Sequence, residues 1–431
     1  MQIIKVNTMD ISSDLKNRCV VATQEEGDRF VGIKATTEDT KVYFPLGYHL
    51  PNNDVDLRKE IFHLFNVLGE FLDKKDKSIP LNKSNADEYV NFPLTAYLEI
   101  IKYYIENGYY IERDPIFRTN NRGKINWTKT IQRQKPMLYK SVNEDYYSPI
   151  YTLFTVREST PNINKEITNI HQHCVYESFK KIGWLFTPNL PQKPAGVLNT
   201  RRFLNILQDK LRNTNNDIKK RLFQSMIEML EFMDKNTNNN QFYFGTDNFE
   251  TIWEKLIDKT FGIKNKEDYF PKSQWNLQYG TTRSLHPLQP DTIMIYKDKI
   301  YVIDAKYYKY GRTGNPQDLP NASSINKQIT YGEYIQRTKE VNDKNIYNAF
   351  LLPYNMNCNH FNSNDPYLNI GEAIGKWRTN NHNYEHIQGI LVDVKYLMYN
   401  YTGDSKRNII GLADTIENSL KRNQIFYEDQ Q

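Results

Sequence analysis

Pro290-Asp291 stands at the head of a run of strand-forming residues, and Asp304-Ala305-Lys306 closes the run that follows. Between them, Thr292–Tyr296 (TIMIY) and Ile300–Ile303 (IYVI) are β-branched, aromatic and apolar, and the polar residues Lys297-Asp298-Lys299 separate them as a turn. If the chain reverses at Lys297-Asp298, Tyr296 faces Lys299, and the same count sets Asp291 opposite Asp304. Side chains alternate along a strand, so Asp304 and Lys306 point the same way. The spacing therefore predicts a hairpin with two carboxylates and an ammonium gathered at one edge.

That set suits phosphodiester hydrolysis. Two carboxylates can hold Mg²⁺, a hard ion that prefers oxygen ligands. The ion polarises a phosphoryl oxygen and lowers the pKa of bound water, and a neighbouring lysine can orient the water and offset charge on the phosphate.

The pattern resembles the PD-(D/E)xK nuclease superfamily, with Asp291 as first acid, Asp304 as second and Lys306 as the lysine. The resemblance implies an acid on the helix before the first motif strand. Residues 248–256 (NFETIWEKL) carry Phe249, Ile252, Trp253 and Leu256 as an apolar stripe at helical spacing. Glu250 and Glu254, four apart, share another face, and the sequence leaves open which is the acid. After the hairpin, residues 324–331 (SINKQITY) are expected to open a helix. The resemblance places Gln328, and less directly Lys327, near metal or scissile phosphate.

The chain has 431 residues, enough for two or three domains, and 39% of them are hydrophobic, enough for globular cores. Its 56 basic and 51 acidic residues leave a formal charge of +5, which permits nucleic-acid binding. Three cysteines, Cys19, Cys174 and Cys358, make no disulfide framework, so a cytoplasmic location is expected. No apolar run approaches a membrane span, so no membrane partner is expected. Gly123-Lys124 and Gly375-Lys376 lack the upstream glycine and the following Ser/Thr of a phosphate-binding loop. His171, His173 and Cys174 are not spaced to share a metal on a helix, and Cys358 and His360 lack partners at zinc spacing.

The expected fold class is α/β (α+β multidomain), in three regions: a β-rich and helical stretch at 1–85, a helical and basic region at 86–240, and a nuclease core with a mixed sheet flanked by helices at 241–431. Strands are expected at Cys19–Thr23, Phe30–Ala35 and Thr40–Phe44, the last two separated by a turn at Glu38-Asp39, with an amphipathic helix over Asp54–Asp73. Residues 74–87 and Lys235–Gln241 are expected linkers. Later helices are expected over Phe92–Glu106, Thr168–Phe186, Asn199–Asp234 (one or two) and Asp404–Leu420, and later strands at Asn345–Pro353 and Ile387–Met398. The run Arg118–Lys140 contains no acid; its Arg122, Lys124, Lys129 and Arg133, interleaved with Trp127 and Tyr139, are assigned to DNA or partner contact.

Residues 122–131 (RGKINWTKTI), 168–171 with 183–185, and the pairing of Phe249-Glu250 and Trp253-Glu254 with the hairpin together resemble the LlaJI-type restriction endonucleases, which are similar to McrC nuclease subunits. The resemblance implies a Mg²⁺-dependent endonuclease of a bacterial restriction-modification system acting on double-stranded DNA beside a McrB-like AAA+ GTPase. Cutting both strands needs two active sites, so a homodimer on DNA is expected. Two alternatives stand: a standalone sequence-specific type II enzyme, and a non-catalytic DNA-binding or GTPase-activating accessory protein. A repair or recombination nuclease on the same core is a third.

Overall fold

The computed structural model describes residues 12–35, 40–72, 90–140, 147–187, 189–196, 199–235, 241–281, 283–378, 381–403 and 405–428. The expected linker 74–87, most of 235–241 and the turn at Glu38-Asp39 lie outside them. The chain forms an α/β structure of two compact units. One joins residues 1–91 to 239–431, and the other is 92–238.

The first unit holds two five-stranded sheets. Its N-terminal sheet has β1 (Cys19–Val21), β2 (Val31–Ala35) and β3 (Thr40–Phe44), followed by helix α1 (Asp54–Phe71) and the short β4 (Val90–Asn91). A strand not anticipated from sequence, β5 (Phe242–Thr246), pairs antiparallel with β2 and parallel with β4. The expected region 1–85 and the expected module 241–431 thus share a sheet. Two glycines permit that pairing. Gly32 and Gly245 are register partners with φ of 138° and 156°, and a Cβ on either would collide with the opposite backbone.

Helix α2 (Phe249–Phe261) follows, burying Phe249, Ile252, Trp253 and Leu256, the stripe expected from its spacing, and Ile257 beside them. The second sheet contains β6 (Thr292–Tyr296), β7 (Lys299–Ala305), β8 (Ile346–Tyr354), β9 (Tyr367–Ile374) and β10 (His386–Asp393). Its order is β6-β7-β8-β10-β9, with β7, β8 and β10 parallel and both edge strands antiparallel. The β7–β8 crossover is helix α3 (Ala322–Lys339), whose Ile329 and Ile335 enter a core with Val302, Phe350 and Leu391. Strand β8 lies between β7 and β10 with both flanks covered, which is why residues 346–354 are buried throughout. The expected strand 387–398 instead ends at Asp393. That side chain accepts the Tyr396 N–H at 2.6 Å and caps a helix at Val394–Asn400. A helix at Ser405–Glu428 closes the unit. Among the described residues no helix is long and apolar enough to cross a membrane.

The second unit packs helices Leu94–Asn107, Glu166–Ile182, Thr200–Arg212 and Asp217–Lys235 around Tyr97, Ile101, Cys174, Phe223 and Met226. The stretch expected as one or two helices at 199–234 is two. A long antiparallel pair, Glu112–Asn120 with Phe154–Asn162, carries the acid-free run at its far end.

The β6–β7 turn has Lys297 and Asp298 at φ of 49° and 59°, the left-handed pair of a type I′ hairpin, which favours Asn-Gly. Replacing Lys297→Asn together with Asp298→Gly is expected to raise unfolding stability by about 1–2 kcal/mol. A urea titration checks this; an unchanged midpoint would contradict the turn geometry.

Candidate active site

Register places the hairpin carboxylates. Thr292 pairs with Ile303 and Tyr296 with Lys299, so Asp291 stands opposite Asp304 as the spacing required. The Ala305 N–H donates to Asp291 Oδ2 at 2.8 Å, fixing that carboxylate against the end of β7. Asp304 is 3% exposed. The Lys306 ammonium lies 2.5 Å from its Oδ2, as an ion pair without hydrogen-bond alignment. The Lys306 N–H donates to the Leu351 carbonyl at 2.9 Å, carrying the β7–β8 ladder one residue past the strand.

Helix α2 docks on the same carbonyl. The Trp253 indole N–H donates to Leu351 O at 3.3 Å, which brings Glu254 beside the hairpin. Of the two acids the sequence left open, Glu254 is the one whose charged neighbours are Lys306 and Asp304. Glu250 instead neighbours Asp247 and Tyr307, with its Oε2 buried and without a hydrogen-bond partner among the described residues. Glu254 and Asp291 line one cleft of about 290 Å³ with Asp258, Lys266, Gln289 and Pro290.

The electrostatics follow from crowding. Burial, reinforced by the Asp304 charge, pushes the Asp291 carboxyl up to about 7, although the Ala305 N–H opposes this. Partial loss of solvent raises the Glu254 carboxyl, with Asp304 and Glu250 pushing the same way and Lys306 and Lys327 against; its outer surface stays exposed. Burial works against the Lys306 ammonium, but Asp304 more than offsets it and holds the amine above its ordinary value.

Helix α3 supplies the other side. Gln328 is 1% exposed, and its Nε2 donates to Val302 O at 2.7 Å on β7, while its Oε1 has no partner among the described residues. Its amide is thus tied to the strand that carries Asp304. Lys327 lies over the Tyr331 ring at 5.6 Å. Tyr331, which sequence reasoning did not assign, is fully buried, and its hydroxyl donates to Gln289 O at 2.9 Å. Burial and the charges of Asp304 and Asp291 raise its pKa. Its place three residues after Gln328, one helical turn on, was the available signal. Lys266 was missed as well; its ammonium bridges Asp258 at 2.8 Å and the Asp291 carbonyl at 2.5 Å.

Among the described residues, no three His, Cys, Asp or Glu side chains form a ready metal cage. The paired oxygens of Asp291 and Asp304, one of them lacking an aligned hydrogen bond, still suit a cation that takes one or two carboxylates and completes its shell with water and phosphate. The four basic residues assigned to DNA or partner contact all lie in the second unit. Arg122, Lys124 and Arg133 are exposed, while Lys129 is half-buried with its ammonium 3.4 Å from the Phe117 ring centroid. Trp127 beside them is 54% exposed.

A mixed α/β sheet with paired carboxylates and a lysine at the ends of its strands defines the class, and comparison with known proteins identifies the family. Residues 30–368 match the LlaJI restriction endonuclease family, and the chain belongs to it. It is similar to the type II restriction enzyme BsuMI component YdjA of Bacillus subtilis (strain 168), at 24% identity over 277 residues, 59% of this chain and 56% of that protein. The chain therefore spans about half the length of that curated relative. A refined half-complex from a tetradecameric assembly of Thermococcus gammatolerans McrB AAA+ hexamers with bound McrC gives a TM-score of 0.35 at 14% identity, over 90% of this chain and 82% of the solved one.

The raised Asp291 carboxyl makes stability depend on pH. A folded pKa near 7 against an ordinary 3.8 means the native state holds a proton that the unfolded chain has released. Stability therefore falls as pH rises from about 4 through 7. In EDTA, Asp291→Asn is expected to melt above wild type at pH 8, with the gap shrinking towards pH 5. A gap that does not change with pH would show that Asp291 titrates normally.

Proposed function

We propose that this chain is a Mg²⁺-dependent DNA endonuclease of a restriction system, built on a PD-(D/E)xK core. One observation carries the reading: in a restriction-endonuclease family member, Asp291, next to the Thr292–Ile303 pair, is tied to the Ala305 N–H beside Asp304, and Lys306 is paired with Asp304. Asp291 and Asp304 would hold the metal with Glu254 beside them. When bound, the ion supplies Lewis-acid activation of phosphate and water.

The chain's own groups do the rest. The Ala305 N–H keeps one Asp291 oxygen fixed, which leaves the other for a ligand. Lys306, held by Asp304, would orient the attacking water and stabilise charge growing on the phosphoryl oxygens. Gln328 and Tyr331 brace the two sides, through Val302 and Gln289 respectively. Products with 5′-phosphate and 3′-hydroxyl ends are expected. Arg122, Lys124, Lys129 and Arg133 would meet DNA phosphates or a partner.

The partner reading is a nuclease subunit working with a McrB-like GTPase. The description of the Bacillus relative as a component of its enzyme supports it; the lack of a phosphate-binding loop motif fits it and the standalone enzyme equally. A standalone type II enzyme is the alternative. Cleavage of unmethylated plasmid with Mg²⁺, with and without GTP and the product of the neighbouring gene, tests both. Wild type is expected to cut and Lys306→Ala to lose about 100-fold or more, with GTP and the second protein required. Cutting without them would favour the standalone enzyme; equal behaviour of wild type and Lys306→Ala would overturn the nuclease assignment.

A further inference from the structure

Residues 270–290 leave the first unit and return to it as an arm directly ahead of Asp291. Gln274–Trp275 pairs antiparallel with Arg283–Ser284. The ladder continues towards the body, with the Leu285 N–H on Ser273 O at 3.0 Å and the Leu288 N–H on Pro271 O at 2.9 Å. Both roots of the arm line the candidate catalytic cleft: Phe270 on the outgoing side, Gln289 and Pro290 on the return.

Three properties of the arm require explanation. Neither face is packed: the described residues from Lys272 to His286 are all exposed, Trp275 at 61% and Tyr279 at 86%. A two-stranded ribbon with no covered face is marginal by itself, so a binding partner is the natural cover. The run from Phe270 to Pro290 also contains no acid, while Lys272 and Arg283 are cationic, which is the complement of a polyanion. Finally, the two faces differ. Opposite residues of an antiparallel pair share a face, so Gln274 lies with Ser284, and Trp275 with Arg283. Asn276 joins the first face, since its Oδ1 accepts from Gln274 Nε2 at 3.1 Å. One side therefore carries two amides and a hydroxyl, rich in both donors and acceptors, with Lys272 two residues before Gln274 at its base. The other is an indole beside a guanidinium.

We propose that this arm enters a groove of duplex DNA beside the scissile phosphate, with Gln274 and Asn276 reading base edges and Lys272 and Arg283 holding flanking phosphates. A two-stranded ribbon fits the major groove, and Gln and Asn amides match adenine's donor–acceptor pair there. Because the roots of the arm line the cleft that Asp291 and Glu254 share, the bases read lie within a few base pairs of the cut. The inference rests on the nuclease reading and deepens it by naming the element that carries sequence preference.

Selection of cleaved sequences from a randomised duplex library tests it, using the full chain with whatever partner and nucleotide cleavage requires. Four proteins are compared: wild type, Gln274→Ala/Asn276→Ala, Lys272→Ala/Arg283→Ala, and Lys306→Ala. The amide variant is expected to lose preference at one or two adjacent base pairs and about tenfold to a hundredfold of affinity for the wild-type motif. The cation variant is expected to weaken all sequences alike and to lower the salt slope by about one for each residue removed. An unchanged motif in the amide variant, or wild-type cutting with no preference, would overturn the proposal while leaving the nuclease intact. Loss of a protein partner by the arm variants with DNA preference unaltered would overturn it in favour of protein docking. Wild type and Lys306→Ala behaving alike would remove the nuclease reading, and this inference with it.

Discussion

The carbonyl of Leu351 accepts two hydrogen bonds, one from the Lys306 backbone and one from the Trp253 indole. The candidate centre depends on that atom. The first bond prolongs the parallel ladder past Ala305, so that Asp304 and Lys306 stay in strand geometry and face the same way. The second pins a fully buried tryptophan of α2 against the same strand ends, and the next residue along that helix is Glu254. Three side chains from two elements far apart in sequence are thus referred to one backbone acceptor. A buried carbonyl with two lone pairs satisfied is a stiff reference point. Tyr331 does the same for the other edge, holding Gln289 O and with it the approach to Asp291.

Much of this was legible because it is local. The β6–β7 register follows from a two-residue turn, and counting outward from Lys297-Asp298 reaches Asp291 and Asp304 without any tertiary information. The α2 stripe was equally local, since its period alone separates Trp253 from Glu254. What could not be read is what the tertiary structure decides. Residues 242–246 (FYFGT) carry no turn signal tying them to residues 31–35; their pairing is a contact over two hundred positions in which opposed glycines matter more than propensity. The choice between Glu250 and Glu254 needed the docking angle of the helix. The end of β10 at Asp393 was hidden because apolar residues resume at Val394 and run on through Tyr396–Met398, and the capping bond of Asp393 separates strand from helix. Tyr331 and Lys266 reach the hairpin through the backbone carbonyls of Gln289 and Asp291, so spacing could point to Tyr331 but not to the bond it makes.

The arrangement is electrostatically unbalanced, and the imbalance points to its use. Asp291, Asp304 and Glu254 are mutual neighbours, and among their charged neighbours only the Lys306 ammonium is paired with one of them. Burial of like charges raises the carboxyl of Asp291 and that of Glu254. A fold selected for stability alone would replace such a group with packed apolar residues, since a buried ion pair rarely repays its desolvation. Retaining it makes sense if the deficit is filled in the working state. A divalent cation between the carboxylates would offset their repulsion, and a phosphate arriving with DNA would then meet a neutralised centre instead of a negative one. Charge is also unevenly placed along this stretch: Asp291, Glu254 and Asp258 line the cleft, whereas the arm that borders it has no acid at all over some twenty residues. Under the nuclease reading, anionic DNA would be drawn first to the arm, and the carboxylates would accept its backbone once a cation offsets their charge.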